Sequence, residues 1–204
     1  MITNLFSTPI YQSPLSLKKE LKSTIQEVLK IQEIDHLGQK WSKKNYDFGY
    51  TSYGSMDQLH KFSTTFESLE KHIKRHVKKY VQILEWDVDF NDLKLSSMWA
   101  NVMPQGAHHS FHLHPHSVIS GTYYLQVPKG SSSLQFEDPR LSRRMAAPPL
   151  LEKNIKNHYS ISPHSGDLVL FESWLRHQVP TQKVKQERIS ISFNYDWIKP
   201  IAPF

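Results

Sequence analysis

The chain has 204 residues, no cysteine and a formal charge of +6, with 38% hydrophobic and 12% aromatic residues. So much apolar content excludes a disordered chain, and the absence of thiols excludes disulfides and thiolate metal sites. No apolar run approaches the roughly 20 residues of a membrane span. No basic-then-apolar leader opens the sequence, so a cytoplasmic protein without a membrane partner is expected.

The length suits one domain over 1–204, helical over 1–92 and β-rich over 93–199. Leu17, Leu21, Ile25, Val28 and Leu29 recur at spacings of three and four, which predicts an amphipathic helix. Residues 36–56 are polar and aromatic, with Trp41, Tyr46, Phe48, Tyr50 and Tyr53, and read as loop or short strands whose aromatics pack. A second helical stripe runs from Leu59 through Phe66, Ile73, Val77 and Tyr80 to Leu84. Within it, Thr64-Thr65-Phe66-Glu67 is either a capping box that divides the stretch or lies mid-helix. Lys71, Lys74, Arg75, Lys78 and Lys79 alternate with this stripe as a solvated face. No nucleic-acid-binding motif accompanies them, so nucleic acid is not an expected partner. An exposed helix stripe or sheet edge would allow a homodimer.

The texture changes at Leu93. Residues 93–103, 118–127, 133–136, 158–161, 167–171 and 188–195 are predicted strands, punctuated by Gly106, Pro128, Gly130, Pro139, Pro163 and Gly166. No helix-length periodicity follows residue 92. The pattern predicts a mainly β sandwich or jelly roll with the helices outside. Residues 138–156, containing Arg140, Arg143, Arg144 and Met145, read as a surface loop or lid.

Five imidazoles fall within nine residues, at His108, His109, His112, His114 and His116. An H-x-H pair on an extended strand puts both side chains on one face, where they can share an ion. His112 and His114 stand just before the strand at 118–127. Pro115 interrupts the strand beside His116, and His108 and His109 line an entrance. His177 follows the apolar run Val169-Leu170-Phe171 and offers a distant third ligand. Imidazole suits iron, zinc, copper and nickel. Arg188 and Ser190 share a strand face, and a guanidinium inside a barrel needs an anion. That anion is either a ligand carboxylate or an acid of the chain such as Asp167 or Asp196.

These residues resemble a known group. From about Ser97 to Trp197 the chain is similar to the 2-oxoglutarate- and Fe(II)-dependent oxygenases of prolyl-hydroxylase-like type. The core H-x-H-P-x-S-x-x-S-G-x-Y-Y-L reads here from His112 through Pro115, Ser117, Ser120 and Gly121 to Tyr123, Tyr124 and Leu125. Gly166 to Val179 resembles the strand and turn that deliver the distal histidine. The resemblance implies a double-stranded β-helix, with Fe(II) and 2-oxoglutarate as cofactors and His112 and His177 as iron ligands. The wider superfamily carries Asp or Glu where this chain has His114. His114 then ligates, or leaves a position open, or is replaced by an acid such as Asp138; strand geometry favours ligation. Arg188 with Ser190 would hold the distal carboxylate, with Tyr124 beside it, and Asn101 would hydrogen-bond cosubstrate or substrate. The implied reaction is hydroxylation of a small molecule or peptide, using molecular oxygen and releasing succinate and carbon dioxide. The rivals are a cupin-like three-histidine dioxygenase and a non-catalytic metal-stabilised binding module.

Overall fold

In the computed structural model, residues 6–15, 17, 20–146 and 157–198 are described. The N-terminal part forms helices α1 (Leu21–Ile34), α2 (His36–Asn45) and α3 (Thr64–Ile83). Helix α1 starts four residues later than the apolar stripe suggested, and Leu17 is buried ahead of it. The second stripe is divided as the capping-box reading anticipated, into a short 3-10 turn at Leu59–Lys61 and then α3. Ser63, not Thr64, is the cap residue, and its side chain makes no capping bond.

Helix α2 corrects the expectation of loop or short strands over 36–56. It buries Gly38 and Ser42, which carry no apolar signal, while Leu37 is exposed. What starts it is Asp35, whose carboxylate accepts from the Gly38 N–H at 2.9 Å. The same carboxylate accepts from Tyr50 Oη at 2.8 Å and Ser55 Oγ at 2.5 Å, tying the helix to the chain that follows.

Ten strands are described: β1 (Tyr11–Pro14), β2 (Tyr50–Thr51), β3 (Leu93–Met103), β4 (His109–His112), β5 (Ile119–Gln126), β6 (Leu134–Glu137), β7 (His158–Ile161), β8 (Asp167–Glu172), β9 (His177–Val179) and β10 (Arg188–Trp197). They form two antiparallel sheets, in the orders β1-β8-β5-β10-β3-β2 and β4-β9-β6-β7. This is the jelly roll expected from the strand pattern, with the helices outside. The strands missed from the sequence are short ones, β1, β4 and β9, too brief to show a period; β2 falls in the 36–56 segment read as loop or short strands. Of the 138–156 loop, Leu141–Ala146 is a 3-10 turn; residues 147–156 lie outside the described residues.

The larger sheet is buried on both faces, and the alternation of its strands separates two cores. Ile189, Ile191, Phe193 and Tyr195 of β10 join Met98, Ala100 and Val102 of β3 against Phe66, Leu69, Ile73, Val77 and Tyr80 of α3. On the opposite face Arg188, Ser190, Ser192 and Asn194 point between the sheets, beside Trp99, Asn101, Thr122 and Tyr124. The apolar face of β10 therefore holds the helices, and its polar face lines a cavity. Gly121 lies where β5 meets Phe193 and Leu170; a Cβ there would come 2.7 Å from Leu170 Cδ2 and overlap the Phe193 ring.

Candidate metal centre

Strand register brings the distant histidines together. Strands β4 and β9 pair so that His112 lies opposite His177, with ring centroids 4.3 Å apart. His112 is the last residue of β4, and His114 lies beyond the strand, its backbone N–H donating to Ser173 O at 3.1 Å. A turn, rather than strand alternation, therefore swings His114 to 5.3 Å from His112 and 5.1 Å from His177, centroid to centroid. One potential ligand atom from each of the three lies within 4.8 Å of the others.

The other nitrogens are occupied. His112 Nδ1 lies 2.7 Å from Ser110 O, and His177 Nδ1 lies 2.9 Å from Leu175 O. Carbonyls only accept, so both Nδ1 atoms carry the proton and both Nε2 lone pairs are free. His114 Nδ1 faces Asn194 Oδ1 at 2.5 Å. Burial pushes all three imidazoles below their ordinary titration range, His114 to about 4 and His177 well down. At neutral pH they are uncharged donors, the form a divalent cation takes.

The neighbouring histidines lie outside the three-histidine group, although the His109 ring comes 6.1 Å from that of His112. His116 is exposed in a left-handed turn at φ 72°, and His108 is exposed at the rim. His109 stacks on Tyr46 at 4.2 Å, and burial lowers its pKa to about 3. Asp138 binds Arg140 at 2.8 Å and is outside the three-histidine group.

Between the sheets, against the triad, lies a cavity of about 70 Å³ with Asn101, Thr122, Tyr124, Arg188, Ser190 and Ser192 on its walls. Arg188 is 4% exposed, and its guanidinium sits 4.9 Å from the centre of the Tyr124 ring. Its Nη1 contacts Met103 Sδ at 3.5 Å, and its Nε has no partner. The acids weighed as partners are engaged elsewhere, Asp167 with Gln12 and His164 and Asp196 with Ser96 and Ser117. Among the described residues Arg188 has no ion pair. The hydroxyls of Tyr124 and Tyr46 and Asn101 Oδ1 are also buried without partners. Each such orphan costs about 1–3 kcal/mol, so a cavity holding several is shaped for a polar guest. Burial raises the Tyr124 pKa, so this hydroxyl stays protonated and, like Arg188, offers a hydrogen to an anion in the cavity; Tyr46, raised in the same way, lines the outer cleft. The donor set fits a metal ion and a carboxylate side by side.

Tyr46 packs in the inner core, as expected for the aromatics of its segment, and its stacking on His109 has no signal in the sequence. Asn194 and Ser192 were readable, since they continue the Arg188–Ser190 face at spacings of two. Outside the triad opens a cleft of about 620 Å³ walled by Trp41, Lys44, Asp47, Tyr53 and Trp99, mostly from the 36–56 segment.

A jelly roll with converging neutral imidazoles beside a buried, unpaired arginine is a metal- and anion-binding β-helix. Residues 97–194 match the family described as "Putative 2OG-Fe(II) oxygenase". The match spans just under half of the chain, and the family's name carries two cofactors, 2-oxoglutarate and Fe(II). No curated protein matches it in sequence. Among solved structures it is similar to HygX from Streptomyces hygroscopicus with nickel and 2-oxoglutarate bound, at 14% identity and TM-score 0.64, covering 93% of this chain and 83% of that one. The α-ketoglutarate-dependent epimerase SnoN from nogalamycin biosynthesis matches at 11% identity and TM-score 0.63, covering 93% and 76%. A Pseudomonas putida prolyl-4-hydroxylase matches at 13% identity and TM-score 0.59, covering 93% of each chain. At these identities the likeness is one of fold. Among the described residues no helix is long and apolar enough to cross a membrane.

Proposed function

We propose that the protein is a hydroxylase that uses Fe(II), 2-oxoglutarate and molecular oxygen on a small molecule or peptide. The observation that carries this reading is the three-histidine group beside an arginine without an acidic partner. His112, His114 and His177 hold the iron through Nε2, their Nδ1 atoms being engaged. Arg188, with Ser190 and the Tyr124 hydroxyl, receives the distal carboxylate of 2-oxoglutarate, and Asn101 lies along the same wall. Bound there, iron and 2-oxoglutarate supply oxidative chemistry that consumes dioxygen, releases succinate and carbon dioxide, and hydroxylates a C–H bond of the substrate.

The chain's own contribution is positional. The ligands leave part of the metal's surroundings open. The Arg188 fork fixes a carboxylate bidentately and so sets the dicarboxylate's orientation. Phe136 and Phe171 pack against His177 and keep water from the inner side of the site. Trp41, Tyr53 and Trp99 line the path by which substrate reaches the open side.

Anaerobic addition of Fe(II) and 2-oxoglutarate is expected to give a weak visible charge-transfer band. His177→Ala abolishes it, whereas His36→Ala, at an exposed residue of α2, leaves it. A band that survives His177→Ala refutes the assignment. The imidazole at 114 favours one rival, a three-histidine dioxygenase that chelates its substrate directly. Oxygen uptake without succinate selects that rival.

A further inference from the structure

We propose that Asn194 is a positioning residue that holds His114 as its Nδ1–H tautomer, so that the ring presents its Nε2 lone pair to the metal. The inference rests on the metal-binding reading above and extends it to residues that touch neither metal nor cosubstrate.

The three histidines are held in two different ways. His112 and His177 each donate Nδ1–H to the backbone carbonyl two residues earlier, an acceptor no side-chain substitution removes. His114 does not use this local bond. Its Nδ1 instead meets side chains from across the sheet, Asn194 Oδ1 at 2.5 Å and Ser120 Oγ at 3.0 Å. Only at this position do side chains far away in sequence set the tautomer.

Strand register builds the support. Asn194 lies opposite Ser120 on β5, and Ser120 lies opposite Phe171 on β8, two residues before Ser173. A register shift between Asn194 and Tyr195 interrupts the pairing of β10 with β3, and such irregularities re-aim side chains. Ser120 and Ser173 are fully buried, and Asn194 is 7% exposed. Ser173 Oγ lies 2.7 Å from Ser120 Oγ, and Ser120 Oγ donates to Asn194 Oδ1 at 2.9 Å. With the Ser120 proton directed to Asn194 and a Ser173 proton directed to Ser120, the short contact to the ring must be bridged by the imidazole's own hydrogen. The Ser173 backbone carbonyl also accepts the His114 N–H, so residue 173 supports the turn through its backbone and the ring through its side chain.

The amide orientation decides the chemistry. With Oδ1 facing the ring, Nδ1 carries the proton and Nε2 offers its lone pair to the metal. With the amide nitrogen facing the ring, the proton would move to Nε2 and block coordination.

The test uses the apo chain, anaerobic Co(II) titration and ¹⁵N NMR of the imidazoles. Wild type is expected to show His114 protonated at Nδ1 before metal is added, and to bind Co(II). Asn194→Leu removes the acceptor; it should mix the His114 tautomers and weaken Co(II) by about 10–100-fold, the usual effect of losing a ligand's hydrogen-bond partner. Asn194→Asp can only accept, so it should keep the Nδ1–H form and bind Co(II) at least as tightly as wild type. If Asn194→Leu folds and keeps wild-type affinity and tautomer, the proposal fails. It fails equally if Asn194→Asp loses affinity, because the amide nitrogen then faces the ring. Should Asn194→Leu not fold, Asn194→Asp and the wild-type spectrum still decide. A wild type that binds no Co(II) removes the metal-site reading as well, whereas normal binding in wild type and both variants removes this inference alone.

Discussion

Replacing Arg188 with Met separates function from stability, because the two should move in opposite directions. Arg188 is 4% exposed and, among the described residues, has no acidic partner. If its fork binds a carboxylate of 2-oxoglutarate, two charge-assisted hydrogen bonds are lost. At about 1.5–3 kcal/mol each, the loss is about 3–6 kcal/mol, or about two to four decades in Kd. The cosubstrate-free protein should respond the other way. Desolvating an uncompensated ion costs several kcal/mol, while the contact with Tyr124, at 4.9 Å, returns about 1–2 kcal/mol. Met keeps most of the volume and removes the charge, so apo stability should rise by about 1–3 kcal/mol, with about 2–4 °C in Tm for each. Calorimetric titration of 2-oxoglutarate onto the Zn(II)-loaded protein reads the first effect, and thermal melts of the apo protein read the second. Unchanged cosubstrate affinity, or an apo variant that melts below wild type, would refute the reasoning.

Two further outcomes test the scaffold. Asp35→Ala removes the α2 cap and leaves Tyr50 Oη and Ser55 Oγ without their acceptor, so the urea midpoint should fall by the equivalent of about 3–5 kcal/mol. An unchanged midpoint would show that α2 does not depend on this carboxylate. The desolvated imidazoles also predict a pH dependence for the apo protein. Burial holds His114 at about 4 in the folded chain against an ordinary 6.5, and His109, His112 and His177 are likewise lowered. As pH falls below 6.5 the unfolded chain therefore takes up protons first. Stability should be level above neutrality and decline from about pH 6.5 through about 4 towards about 3, because each folded histidine protonates only near its own lowered pKa. Apo Tm measured across that range checks it, and a rise on acidification contradicts it.

Several features were legible before any tertiary structure. The face shared by Arg188 and Ser190 follows from two-residue alternation alone, as does the pairing of Trp99 with Asn101 on one side of β3. Helix α3 was legible because its buried positions are large and apolar at helical spacing. Helix α2 was not, because it buries Gly38 and Ser42 and owes its start to a carboxylate shared with residues 50 and 55. The sequence favoured His114 over Asp138 through strand alternation; in the folded chain a turn beyond β4, not a strand, brings His114 beside His112 and His177, while Asp138 pairs with Arg140.

By itself the sequence determined the β-rich core, its helical cover and the residue types able to bind a metal and an anion. These follow from periodicity and side-chain chemistry, which are local. The tertiary structure alone decided that His112 faces His177, that Tyr46 reaches the buried interior and that Asn194 meets His114. Each of those depends on cross-strand register or on a turn between distant segments, and no local pattern encodes either.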